Sequence, residues 1–334
     1  MSELPISGPE SVPELDREQR LVVIQRQAME FIPAHSSTVP VASAKTGYYD
    51  LPVIKEPSWS WEIPLYFFIG GAAGAAGLIG AVAHFTGAPP ALIRHARKIA
   101  LAGAVLSPAL LISDLGRPER FLAMLRVFKP QSAMSMGVYI LIGFSGGTTT
   151  ANIGEWLERH SIAPGLSRLL QDLGDAGAAV FGLGLATYTG VLIGATVVPA
   201  WNRNIDMLPA HFAASGMAAA VGMLELMGHQ SPALQALGVG AALLETGMGA
   251  SIELNPEPAV EPLKHGPSGW LIRLGGLLSG PVPLVLRGMS YFAKGERSTK
   301  LRKYAAVSSV VGSAVTRAAW IHAGHVSARQ SKPA

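Results

Sequence analysis

The residues suited to chemistry are carboxylates, imidazoles, phenols and guanidinium groups scattered between long apolar runs. They are Glu62, Tyr66, Asp114, Arg117, His211, Glu225, Glu245, His265, Arg317, His322 and His325. Histidine and carboxylate side chains exchange protons, while phenol and guanidinium groups hold a polar ring or an anion through hydrogen bonds. No metal triad, phosphate-binding glycine loop or nucleophile elbow accompanies them. The chain has no cysteine, so it holds neither an all-cysteinate iron–sulfur cluster nor a disulfide.

The elements that position these groups follow from composition. Only 14% of the 334 residues are charged, against about 25% in a soluble protein. Mean hydropathy is +0.34 and there are 38 glycines, which is the composition of an integral membrane protein with close-packed helices. A net charge of +4 fits basic membrane loops, and no nucleic-acid partner is expected. The N-terminus lacks the pattern of a signal peptide, so insertion is expected to start at the first apolar helix.

A spanning helix takes about 20 mainly apolar residues, and eight stretches qualify: 63–86, 99–115, 134–153, 176–201, 208–228, 233–252, 270–289 and 304–325. The predicted fold is an all-α integral membrane protein whose eight helices form one bundle or two four-helix bundles. Residues 1–60 form a polar N-terminal arm with an amphipathic helix between Glu14 and Ile32, residues 61–328 the eight-helix domain, and 329–334 a short tail. Trp59, Trp61, Tyr48 and Tyr49 suit the interfacial belt. Small residues four apart, such as Gly70 with Gly74, read as helix-packing seams.

Eight crossings place both termini on one side, A. Glu62 and Tyr66 begin span one there, Asp114 and Arg117 end span two, His211 begins span five, His265 precedes span seven, and His322 and His325 end span eight. Each alone is an ordinary interfacial or snorkelling side chain. Together they form a candidate pocket at one interface. Deeper, Glu245 and Arg317 are placed to pair, and Glu225, Glu245 and His211 form either a proton ladder or a static buried ion pair with one protonated Glu. Haem needs two facing imidazoles at one depth; His211 with His322 is the only candidate pair, and no haem is expected.

DLGRPERF followed by MLRVFKPQSAMSMG, with WSWEIPLYFFIGGAAG in span one and TRAAWIHAGHVSA at the end, resembles the NrfD family of polysulfide reductase-type membrane subunits. The resemblance implies an eight-helix membrane anchor that binds a quinone, menaquinone or ubiquinone, as an exchangeable substrate. It implies electron exchange with a ferredoxin-like iron–sulfur subunit, and a molybdopterin-type catalytic subunit beyond that. It places the quinone where the first helix begins, at Trp61, Glu62 and Tyr66, with Asp114 and Arg117 nearby and His211 or His322 as an imidazole. Other members carry Asn and His where this chain has Ile63 and Tyr66. Arg120, Arg126 and Lys129, on an amphipathic segment with Phe121, Leu125 and Phe128, are expected to face the iron–sulfur partner.

Lys and Arg residues near the spans divide eleven on side B against ten on side A; the flanks of span one lean towards side A outside the cell membrane. Two rivals remain. One is a structural anchor without quinone chemistry. The other is a small-solute or ion transporter, against which the absence of an evident interrupted helix counts.

Overall fold

Proline punctuates this chain into helices. The computed structural model describes residues 54–115, 119, 121, 125, 126 and 128–330. Long helices are α1 (Glu62–Phe85), α2 (Pro90–Asp114), α3 (Ala133–Arg159), α4 (Pro164–Gly194), α5 (Leu208–Leu226), α6 (Pro232–Leu254), α7 (Gly266–Ser279), α8 (Pro281–Phe292) and α9 (Glu296–Gln330). Four of them open on proline, whose missing N–H has no partner in a first turn anyway and whose fixed φ suits one. Ser132 and Ser231 cap α3 and α6 by accepting from the N–H of Ser135 and Leu234.

The helices sort into two groups. In the first, α1 lies between α2 and α4, and α3 packs on α4; in the second, α5, α7 and α8 pack on α9, and α6 packs on α5, α7 and α8. The groups meet where α1 and α4 touch α5 and where α1 touches α9. Small residues make these contacts possible. A Cβ on Gly74 would lie 2.4 Å from the carbonyl oxygen of Gly182 in α4, and one on Gly216 would lie 2.7 Å from that of Gly71. The expected glycine seam is therefore present, with Gly74 at its tightest point.

Among the described residues, four helical stretches are long and apolar enough to cross a membrane: Glu62–Phe85, Pro90–Asp114, Pro164–Gly194 and Gly266–Phe292. Large apolar side chains such as Val105, Leu173, Val180, Leu243, Leu277 and Phe292 stay exposed on the outer faces, as lipid-facing side chains do. Asn152 and Arg317 sit within α3 and α9, which lowers the hydropathy of both.

Helix limits differ from the apolar stretches for a physical reason. Span two begins at Pro90 rather than at residue 99, because the first turns carry His95, Arg97 and Lys98, and Arg97 is buried against acidic partners. The seventh stretch is interrupted: α7 ends at Ser279, Gly280 takes φ −107° and ψ −93°, and α8 restarts at Pro281. Pro281 and Pro283 bring no N–H, so the carbonyls of Leu277 and Ser279 lose their helical donors. The break also lets α6 approach, since a Cβ at Gly280 would sit 2.9 Å from Thr246 N. An interrupted helix is thus present where none was evident in the sequence.

The N-terminal arm with its Glu14 to Ile32 helix, Tyr48, Tyr49, Arg117, Arg120 and residues 331–334 lie outside the described residues.

Candidate functional site

End A is the end of the bundle at which α1 starts. Three tryptophans fix it. Trp59 stacks on Trp201, 5.4 Å between centroids and 19° between planes, and Trp201 donates from Nε1 to the carbonyl of Trp320 at 2.8 Å. This ties the approach to α1, the turn before α5 and α9 into one apolar cluster with Phe67, Leu208 and Phe212.

Asp114, at the last turn of α2, reaches the residue before α1: its Oδ1 accepts from Ser60 Oγ at 2.7 Å and from Ser60 N at 3.3 Å. Ser60 Oγ also contacts the Glu62 carboxylate. Two carboxylates thus meet on one hydroxyl, the convergence that helix parity predicts. Ser60, which joins them, is a residue that the sequence reading does not single out; the WSWE run is its signal.

Beside this junction lies a cleft of about 310 Å³ between the start of α1 and the last turns of α9, lined by Trp59, Ser60, Trp61, His322, His325 and Arg329 among others. Trp61 is 67% exposed there. One wall is aromatic, the other carries two imidazoles. Glu56 closes the outer edge: its carboxylate accepts from Arg329 at 2.6 and 2.9 Å and lies 2.9 Å from His325 Nδ1. Hydrogen bonds from Arg329, then from His325, hold the Glu56 carboxyl down at about 2.

Tyr66 and His211 are not in this cleft. Tyr66 is buried in the core, in hydrogen-bond contact with the phenol of Tyr188. His211 is buried one helix further in, against Trp320 and Phe212. His211 and His322 occupy different environments, one interior and one in the outer cleft. His265 lies 3.5 Å from Glu261 on the exposed surface.

The deep charges pair differently from the expectation. Glu225 is held by Arg287, which donates to both carboxylate oxygens at 2.8 Å with both side chains buried. By sequence position Arg287 and Arg97 are both among the eleven side-B charges. Arg97 is instead buried among Asp175 at 3.1 Å, Gln171 at 2.9 Å and Glu155 at 3.4 Å. Removing these two from the side-B count leaves the distribution without bias.

Glu245 takes Ser279 at the helix break, accepting from its Oγ at 2.6 Å. Its other oxygen lies 3.2 Å from His211 Nδ1, close enough for an ion pair but out of hydrogen-bond alignment. Among the described residues no ion pair joins Glu245 to Arg317. Arg317 donates instead to the carbonyl of Phe212 at 2.6 Å and lies 3.8 Å above the Phe212 ring, a cation–π contact.

In the signature loop, Lys129 and Arg126 are exposed, and Phe128 stands edge-on to Tyr139 at 4.9 Å. Leu125, Arg126, Phe128 and Lys129 lie in turn and irregular backbone, so the described part of the expected amphipathic helix does not continue through them. Among the described residues no group of three metal-ligating side chains converges.

A search of curated proteins finds no match. The family model described as polysulphide reductase, NrfD, matches residues 53–229, just over half of the chain and including the first helix, the signature loop and both carboxylates of the Ser60 junction. The chain belongs to the NrfD family.

Proposed function

We propose that this chain is the quinone-reactive membrane subunit of a respiratory oxidoreductase complex, and that quinone binds in the end-A cleft. Family membership supports a membrane subunit of a polysulfide-reductase-type complex. The observation that carries the quinone reading is the cleft between Trp59 and Trp61 on one wall and His322 and His325 on the other, with Glu62 and Asp114 at its edge. Aromatic faces fit a flat ring, and imidazoles fit its oxygens. A bound quinone supplies two-electron chemistry coupled to two protons. The residues of this chain do the rest. His322 holds a ring oxygen, Trp61 shields the ring from water, and Glu62 with Asp114 passes protons to the interface. Tyr66 supports the start of α1 from within through Tyr188.

The proposal extends to eight membrane crossings over residues 61–328, with α7 and α8 together as the seventh. End A lies outside the cell membrane. The ferredoxin-like iron–sulfur subunit docks there on Arg126, Lys129 and the neighbouring Arg117 and Arg120, and a molybdopterin-type catalytic subunit lies beyond it. Of the deep charges, Glu225 is a static pair with Arg287, whereas Glu245 and His211 are the groups suited to proton movement, with Arg317 a fixed positive charge held on the Phe212 carbonyl. A helix break beside a buried Glu is also the feature that favours an ion or solute transporter; solute uptake by vesicles containing the chain alone is the result that would support that reading.

Titration of the solubilised complex with a short-chain quinone, followed by tryptophan emission, tests the site. Saturable quenching that falls with Trp61→Leu is expected; quenching that never saturates removes the proposal.

A further inference from the structure

At end B, opposite end A, the turn between α8 and α9 gathers positive charge without matching acid. Lys294, Arg297, Lys300, Arg302 and Lys303 fall within ten residues, and Glu296 is the only acid in residues 262–334. Glu296 pairs with Lys300 at 2.8 Å. Lys294, Arg297 and Lys303 are exposed and Arg302 is half-buried, and none of these four has a carboxylate within ion-pair distance among the described residues. The first helix group differs at the same end. Residues 86–98 and 155–175 hold five cations with four acids, and Arg97 and Arg159 are paired there with Asp175 and Glu155.

The α8–α9 corner is fixed in place. Gly295 takes φ +60°, in the left-handed region, which lets the chain reverse between the two helices. Ser298 Oγ then donates to the carbonyl of Ser290 at 2.8 Å. Each helix carries an exposed apolar stripe that runs to this corner: Val285, Met289 and Phe292 on α8, and Val311, Val307 and Tyr304 on α9, with Lys300 one turn beyond Tyr304. Phe292 is 91% exposed. Helical spacing thus sets cations and aromatic rings at headgroup level and aliphatic side chains further into the bilayer. A free phosphate would use the cations alone. The stripe on α8 belongs to a stretch apolar enough to cross a membrane, out of reach of a soluble acidic partner. Cations and stripes together fit a molecule with a negative head and acyl chains.

We infer that the α8–α9 corner binds an anionic phospholipid, with its phosphate on Lys294, Arg297, Arg302 and Lys303 and its acyl chains along the two stripes. Clusters of Lys and Arg beside a membrane span attract anionic lipid in this way. The inference stands apart from the quinone reading and needs only that the chain lies in a bilayer.

The test reconstitutes the assembled complex in phosphatidylcholine vesicles with a trace of phosphatidylglycerol that carries a photoactivatable group in its acyl chain, and maps the labelled peptides. Label is expected on residues 282–292 and 304–311, and excess unlabelled phosphatidylglycerol should remove it. A phosphatidylcholine probe with the same group should label these residues no more than the other lipid-facing helices. The variant K294Q/R297Q/R302Q/K303Q should lose the label by about tenfold or more, whereas K294R/K303R, which keeps the charge, should retain it. Removing as much charge from the first helix group, in R94Q/K98Q/R159Q/R168Q, should leave the label unchanged. Equal loss in the two quadruple variants shows attraction to end B as a whole and overturns the inference. Equal labelling by the two probes, or label that inorganic phosphate removes at constant ionic strength, overturns it as well. Label found on the isolated chain but not in the assembled complex places a partner subunit on the corner and also overturns it.

Discussion

Arg287 donates one 2.8 Å hydrogen bond to each carboxylate oxygen of Glu225, with both side chains buried between α5 and α8. Each charge is there because the other is. Replacing Arg287 with Leu leaves an uncompensated carboxylate, and breaking such pairs in soluble proteins costs about 3–5 kcal/mol. Thermal unfolding of the detergent-solubilised chain should fall sharply for Arg287→Leu and for Glu225→Leu. The double variant should recover most of the loss.

The α1–α4 seam gives a second prediction. A methyl at Gly74 sits 2.4 Å from a backbone oxygen of Gly182, whereas one at Gly146 meets nothing within 4 Å. Gly74→Ala should destabilise by about 1–3 kcal/mol, and Gly146→Ala should be neutral or slightly stabilising. Melting temperatures of the two variants compare them directly.

Glu56 anchors the approach to α1. Its carboxyl is lowered from 4.5 to about 2, first by hydrogen bonds from Arg329 and then from His325. A lowered acid stabilises the folded state above its unfolded value, and that contribution disappears as the pH falls from about 4.5 through about 2. Amide protection factors at residues 54–60 should therefore fall over that window. Glu56→Gln should exchange quickly at every pH.

A comparable clasp lies at the other end of the bundle. His95 Nδ1 and His229 Nε2 are 2.6 Å apart. Burial, and then the neighbouring His95 ring, lower the His229 imidazole below its usual 6.5. The neutral form is the one that folds, so the contact is fully present above about 6.5 and is lost as the pH falls through the lowered value. Amide protection factors at residues 227–231 should fall on acidification, His95→Phe should leave much of that dependence because burial is the larger cause, and His229→Phe should abolish it.

Much of end A was legible because helix parity is a strong constraint. Knowing where α1 starts and α2 ends puts Glu62 and Asp114 together, and the structure joins them through Ser60. Trp61 and His322 meet in one cleft for the same reason. The partners of buried charges were not legible. Arg287 follows an apolar run and reads as a flanking charge until the break at Gly280 shifts its helix. Arg97 precedes an apolar run and reads the same way until α2 is seen to begin at Pro90. Glu245 was matched with Arg317 by depth alone, but its oxygens are met by Ser279 and approached by His211. Depth follows from chain position, whereas the facing side of a helix in a bundle depends on rotation, which a glycine-rich sequence with weak amphipathicity does not encode. The prolines at 281 and 283 were the available signal for the interruption.

The end-A quinone site is tested most directly by turnover of the assembled complex carrying Trp61→Ala with His322→Ala. Quinone-linked turnover is measured beside dye-linked turnover of the catalytic partner, which bypasses this chain. Quinone-linked turnover should fall by about tenfold or more, equivalent to about 1.4 kcal/mol, with dye-linked turnover and assembly unchanged. Undiminished quinone-linked turnover in a fully assembled double variant would contradict the site.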